Sequence, residues 1–132
     1  MTDHNPRSPR DVYEFILKNV DSVPHLEAII LLWNSRPVAW NPEELATRLY
    51  IAPEKVLALL RDLVRLQLIT ETAGSPPKFS YFARSQEQDE LMGSLDAAYR
   101  RELVRISTMI HSKASSSVLE FARAFRLKKE RD

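Results

Sequence analysis

Residues 41–82 carry two helix patterns and two strand patterns in an order that constrains the fold more than anything else in the chain. Asn41-Pro42-Glu43-Glu44 starts a helix, with an N-cap side chain, proline at the first helical position and carboxylates at the positive helix end. Leu45, Ala46 and Leu49 form its apolar face, Tyr50-Ile51-Ala52 turns the chain, and Pro53 opens a second helix. Val56, Leu60 and Leu63 recur at the spacing that a helix buries. Leu68-Ile69-Thr70 and Phe79-Ser80-Tyr81-Phe82 then read as strands, joined by Ala73-Gly74-Ser75-Pro76-Pro77. The expectation is a helix, a tight turn, a second helix and a hairpin.

The flanks predict more helix. Residues 1–7 read as a flexible leader, and Ser8-Pro9-Arg10-Asp11 as a capping-box-like start. Val12, Phe15, Ile16 and Val20 keep helical spacing to about Val20. A second helix follows Ser22-Val23-Pro24, carries Leu26, Ile29, Ile30 and Trp33, and stops before Pro37. Val38-Ala39-Trp40 suits a short first strand. Gln86 begins a long helical arm on which Leu91, Leu95, Tyr99, Leu103, Ile106 and Ile110 make one stripe. Gly93 and Ser94 weaken its first turns by roughly 1 kcal/mol or less each. Ser115-Ser116-Ser117 breaks the arm and caps a last helix with Val118, Leu119, Phe121, Ala122 and Phe125. The expected organisation is a leader (1–7), a helix-turn-helix domain (8–85), a helical arm (86–127) and a frayed basic tail (128–132).

Composition excludes several classes. At 132 residues and 44% hydrophobic, the chain suits one ordered domain with an arm. It has no cysteine, hence no disulfide or thiolate metal site. The apolar run Ala28 to Trp33 is far too short to span a bilayer, and Met1 to Arg10 does not resemble a signal peptide, so a cytoplasmic protein is expected. Net charge is only +1, but from Arg100 to Asp132 there are nine basic residues against four acidic ones. The tail is therefore the basic end.

The stretch from Pro42 to Val56, continued by Leu63-Val64-Arg65-Leu66-Gln67-Leu68-Ile69, resembles winged helix-turn-helix transcriptional regulators of the multiple-antibiotic-resistance (MarR) and related bacterial classes. Ala46 matches the small residue where the two helices cross, Ile51 the apolar turn residue, and Leu68 and Ile69 the apolar pair entering the first wing strand. The resemblance covers about 45 residues directly and implies a mostly α (α+β) winged helix, with duplex DNA as partner. It also implies that the arm pairs two protomers through Leu91, Leu95, Tyr99, Leu103, Ile106 and Ile110, giving a homodimer; the alternative is that this stripe folds back on its own domain.

In such a domain the outward side chains of the second helix enter the major groove. The outward positions are Glu54, Lys55, Leu57, Ala58, Arg61, Asp62 and Arg65. Lys55 and Arg61 are expected at bases, Leu57 and Ala58 at thymine methyls, and Arg65, Lys78 and Arg84 at phosphates. From Pro53 to Arg84 there are five basic and three acidic residues, a sparse face for phosphate binding. The alternative is a winged-helix adaptor whose second helix docks a protein through exposed Leu57 and Ala58. Arg123, Arg126, Lys128, Lys129 and Arg131 are a candidate phosphate patch, against a plain solvated helix end.

Other constellations read blandly. Trp33 and Trp40 are expected in the core rather than in a ligand pocket. His4, His25 and His111 have no metal-ligand spacing. Ser115 to Ser117 lacks a base or a nucleophile elbow. With two glycines in the whole chain, no phosphate-cradling loop is available. No enzyme, metal or cofactor is expected.

Overall fold

The computed structural model describes residues 9–113. The elements are α1 (Pro9–Asn19), α2 (Val23–Ser35), α3 (Pro42–Leu49), α4 (Pro53–Arg65), β1 (Ile69–Thr72), β2 (Lys78–Tyr81) and α5 (Gln86–Arg101). Residues 103–113 are helical again. This is the expected mostly helical winged helix. The predicted last helix, the serine break and the basic tail lie outside the described residues.

Helix starts follow the local chemistry. The Asn41 side chain accepts from the Glu44 amide at 2.8 Å while the Glu44 carboxylate accepts from the Asn41 amide at 2.9 Å, a full capping box on α3. Ser22 caps α2 and Ser85 caps α5. Tyr50 ends α3 in the left-handed region at φ 59° and ψ 41°, which turns the chain towards α4. At the other end of α4, Gln67 takes φ 62° and the Leu68 amide returns to the Leu63 carbonyl. That geometry delivers the chain into β1.

β1 and β2 pair antiparallel, with Ile69 opposite Tyr81 and Thr72 opposite Lys78. Of the expected first strand only Trp40 joins, through a pair of hydrogen bonds with Phe79 at 2.8 and 2.7 Å. Val38 is held instead in a turn by its amide bond to the Ser35 carbonyl, and its side chain stays half exposed.

One core joins all of these elements. Ile16 of α1, Leu26, Ile29 and Leu32 of α2, Leu45 of α3, and Leu60 and Leu63 of α4 are buried together with Phe79, Met92 and Leu95. Both tryptophans pack against this cluster, as expected. Trp33 donates to Asp89 at 3.0 Å and Trp40 to the Ser35 hydroxyl at 2.9 Å. Gly93 has a packing reason that the sequence hid. A Cβ there would lie 3.3 Å from Trp33 Cζ2, so glycine lets the indole close on α5.

The arm departs from expectation in two ways. It is not one helix, because Glu102 breaks it at φ −129° and ψ 45°. The Glu102 carboxylate accepts from the Tyr13 hydroxyl at 2.7 and 2.6 Å, and Arg105 lies over the Tyr13 ring. The arm is thus tied to α1 at its bend. Nor is its stripe a free seam. Leu95, Ile106 and Ile110 are buried in the same chain's core, with Leu91 and Tyr99 packed partly against it, whereas Leu103 and its neighbour Val104 are exposed.

Candidate nucleic-acid interface

The outer face of α4 begins at an end with no side-chain cap. Ala52 occupies the N-cap, and no side chain accepts from the first amides of the helix. Pro53 has no amide proton, and the Lys55 and Val56 amides donate to the Ala52 carbonyl at 3.0 and 3.1 Å, which leaves the Glu54 amide to meet water. Just before this end, Tyr50 is 92% exposed. From sequence Tyr50 is expected only as a turn residue. Its signal was a large aromatic at the one turn position that requires a left-handed backbone.

Along α4, Lys55, Ala58, Arg61 and Arg65 are exposed, as their outward spacing requires. Leu57 corrects the expectation. It is only partly accessible and packs against the core, while Leu59, not expected inside, is buried. The buried stripe is therefore Val56, Leu59, Leu60 and Leu63, wider than the sequence spacing suggested. The apolar patch centred on Leu57, which an adaptor would present, is accordingly reduced to Ala58 on the outermost ridge.

Most of the arginines on this face have intramolecular acceptors. Arg61 pairs with Glu71 of β1 at 3.7 Å, joining α4 to the hairpin. Arg65 pairs with Asp62 one turn back, and Arg84 donates to the Gln67 side chain. Lys55 and Lys78 make no ion pair among the described residues. All of these cations sit at exposed positions, where an ion pair contributes only about 0–1 kcal/mol, so a phosphate can displace the internal partner cheaply.

Behind α4 lies a contact that the sequence did not signal. Asp62 also accepts from Nε2 of His25 on α2 at 2.9 Å, and the Ser22 hydroxyl lies 2.5 Å from the other ring nitrogen. Burial holds the His25 pKa below its ordinary value, with the nearby Asp21 carboxylate opposing. On the arm, the Tyr99 hydroxyl donates to Glu27 at 3.1 Å, and burial together with that carboxylate pushes its pKa up to about 12. Tyr99 therefore serves as a neutral donor inside the protomer. Among the described residues no helix is long and apolar enough to cross a membrane, and no cluster of three potential metal ligands occurs.

No model of a known family matches the chain, and no curated protein matches it in sequence. Solved structures do match in fold. MepR, a transcription regulator of the Staphylococcus aureus multidrug efflux pump MepA, aligns at a TM-score of 0.53 and 14% identity, over 88% of this chain and 88% of its own. A MarR-family transcriptional regulator from Rhodococcus sp. RHA1 aligns at 0.52 and 15% identity, over 84% and 82%. Transcriptional regulator Tm0710 from Thermotoga maritima aligns at 0.51 and 14% identity, over 91% and 84%. At such identities the likeness concerns the fold, and at that level the resemblance read from residues 42–69 is borne out: the chain has the winged-helix fold found in these regulators.

Proposed function

We propose that this protein is a transcriptional regulator that binds duplex DNA as a homodimer, with α4 in the major groove and the hairpin loop along a neighbouring backbone. The observation that carries the reading is the exposed ridge Lys55, Ala58, Arg61 and Arg65, set beside the hairpin through the Arg61–Glu71 pair. A 13-residue helix is about 20 Å long and fits a major groove about 12 Å wide. Solved proteins of similar fold are themselves transcription regulators, which supports the same assignment.

In this reading Lys55 and Arg61 approach base edges and Ala58 touches a thymine methyl, with Leu57 as the wall behind it. Lys78 and Arg84 hold phosphates, and Arg65 does so when it leaves Asp62. The pairing surface on the arm falls to Leu103 and Val104, which are 50% and 77% exposed, rather than to Leu95, Ile106 and Ile110. Leu17 of α1, 47% exposed, adds apolar surface on the helix that the arm packs along.

Retardation of duplex genomic fragments at low salt tests the proposal. Folded protein that retards none of them would refute it and leave the α4 face to a protein partner. Sedimentation of Val104→Asp against wild type tests pairing. The variant should be monomeric at concentrations where wild type is dimeric, and a wild type monomeric at tens of micromolar would refute pairing.

A further inference from the structure

We propose that Ser22, His25, Asp62 and Arg65 form a protonation relay that sets how much positive charge α4 offers to DNA, with binding strengthened in acid. The relay rests on the reading of α4 as the DNA-facing helix. Its geometry is a chain from the start of α2 to the surface of α4. Ser22 Oγ lies 2.5 Å from His25 Nδ1, and His25 Nε2 lies 2.9 Å from Asp62 Oδ2. The other carboxylate oxygen, Asp62 Oδ1, accepts from Arg65. One carboxylate thus serves two groups, an imidazole that gains or loses a proton and an arginine on the proposed DNA face.

At neutral pH both ring nitrogens are satisfied by an uncharged His25. Nε2–H donates to Asp62 and the Ser22 hydroxyl donates to Nδ1, while Ser22 Oγ accepts from the His25 amide at 3.3 Å. The carboxylate then balances Arg65 alone. When one proton from solvent reaches Nδ1, that nitrogen becomes a donor and the Ser22 oxygen becomes its acceptor. The imidazolium now holds Asp62 through a charge-assisted bond, which is stronger than the neutral one. A single negative charge faces two positive ones, and the group gains one unit of positive charge. Arg65, whose side chain is 70% exposed, is the partner free to leave for a phosphate.

The surroundings let the proton in and set the balance. A cleft of about 250 Å³ opens beside His25 between α1, α2 and α4, lined by Lys18, Asn19, Asp21, Asp62 and Arg65 among others. Asp21 and Asp62 favour the imidazolium, while Lys18 and Arg65 oppose it. From the helical segment 103–113, Lys113 reaches the Val20 carbonyl at 2.9 Å and Asp21 at 3.7 Å, which weakens the pull of Asp21 on the imidazole. Burial also works against charging, so the transition falls on the acid side of the ordinary histidine value.

Two measurements on the intact protein test the relay. The first is a nuclear magnetic resonance titration without DNA, following the His25 imidazole, the Asp62 carboxyl and the Arg65 side-chain N–H. A shared midpoint below about 6.5 is expected, and independent titration of the three would overturn the relay. The second is fluorescence anisotropy with a duplex at about 0.1 M salt, near pH 5.5 and near pH 7.5. One added phosphate contact releases about 0.9 counterion and strengthens binding roughly five- to ten-fold at this salt, so the wild-type pair, with one such contact on each protomer, should bind roughly 25- to 100-fold more tightly in acid. His25→Gln should lose that gain, and so should Arg65→Gln, a surface change that leaves the fold intact. An Arg65→Gln protein that keeps the full gain would overturn the relay. If wild type binds no duplex at either pH, the DNA reading fails by itself, and the titration alone decides the relay.

Discussion

Ile106 and Leu103 lie one turn apart on the arm, and the sequence gives them the same role, yet the structure separates them. Ile106 is 0% exposed and belongs to the common core, whereas Leu103 is 50% exposed. Truncating Ile106→Ala removes buried carbon and leaves a cavity, at a cost of roughly 2–5 kcal/mol. Leu103→Ala forfeits at most about half of the roughly 1.5–3 kcal/mol that full burial of a leucine contributes, or about 1 kcal/mol. For a chain of this size each kcal/mol moves the melting temperature by roughly 4 °C. Ile106→Ala should therefore lower Tm by roughly 8–20 °C, and Leu103→Ala by less than about 5 °C. Calorimetric melts at two protein concentrations provide the assay, because pairing makes Tm depend on concentration. An Ile106→Ala protein that melts like wild type, beside a strongly destabilised Leu103→Ala, would refute the placement of the arm in the protomer's own core.

Three further expectations follow from single residues. Tyr50→Gly should raise stability by up to about 1 kcal/mol, since a left-handed backbone costs an L residue roughly 1–2 kcal/mol and glycine returns part of that as chain entropy; a fall in the urea midpoint would mean that the exposed ring is packed. Stability should decline as pH drops below about 6.5, because the unfolded chain protonates its histidine before buried His25 does and so binds more protons in that window. The decline should be shallower in His25→Gln, and an identical pH profile in the two proteins would contradict this. Arg61→Ala should weaken site-specific DNA binding by roughly 1–3 kcal/mol if the guanidinium leaves Glu71 for a base, and anisotropy with a selected duplex checks it.

The legible part of this fold was the part written in local chemistry. Asn41, Pro42 and Glu44 specify the start of α3 through backbone geometry and one reciprocal cap, and Gly74, Pro76 and Pro77 mark the hairpin loop, so neither needs knowledge of distant residues. The break at Glu102 was not legible, because it depends on a hydrogen bond to Tyr13, 89 residues earlier in the chain. Apolar spacing from Leu91 to Ile110 said that the arm buries a face but not against what. The same limit explains Leu57, expected outward but packed partly against the core, and Leu59, to which the spacing assigned no role and which is buried. On the candidate interface, exposure followed from helical spacing at Lys55, Ala58, Arg61 and Arg65. The pairing of Asp62 with His25 came from the crossing of α2 and α4, which no spacing within either helix encodes.

The most direct test of the central claim is the salt dependence of duplex binding in wild type and in a Lys78→Ala/Arg84→Ala protein. Both side chains are exposed and assigned here to phosphates. Each lost phosphate contact lowers the slope of log affinity against log salt by about 0.9, so the double variant, which loses two contacts on each protomer of the pair, should show a slope about 3.6 shallower than wild type, with an unchanged thermal melt. A slope equal to that of wild type, or a wild type whose duplex binding ignores salt, would contradict the assignment of the hairpin and the α4 face to DNA.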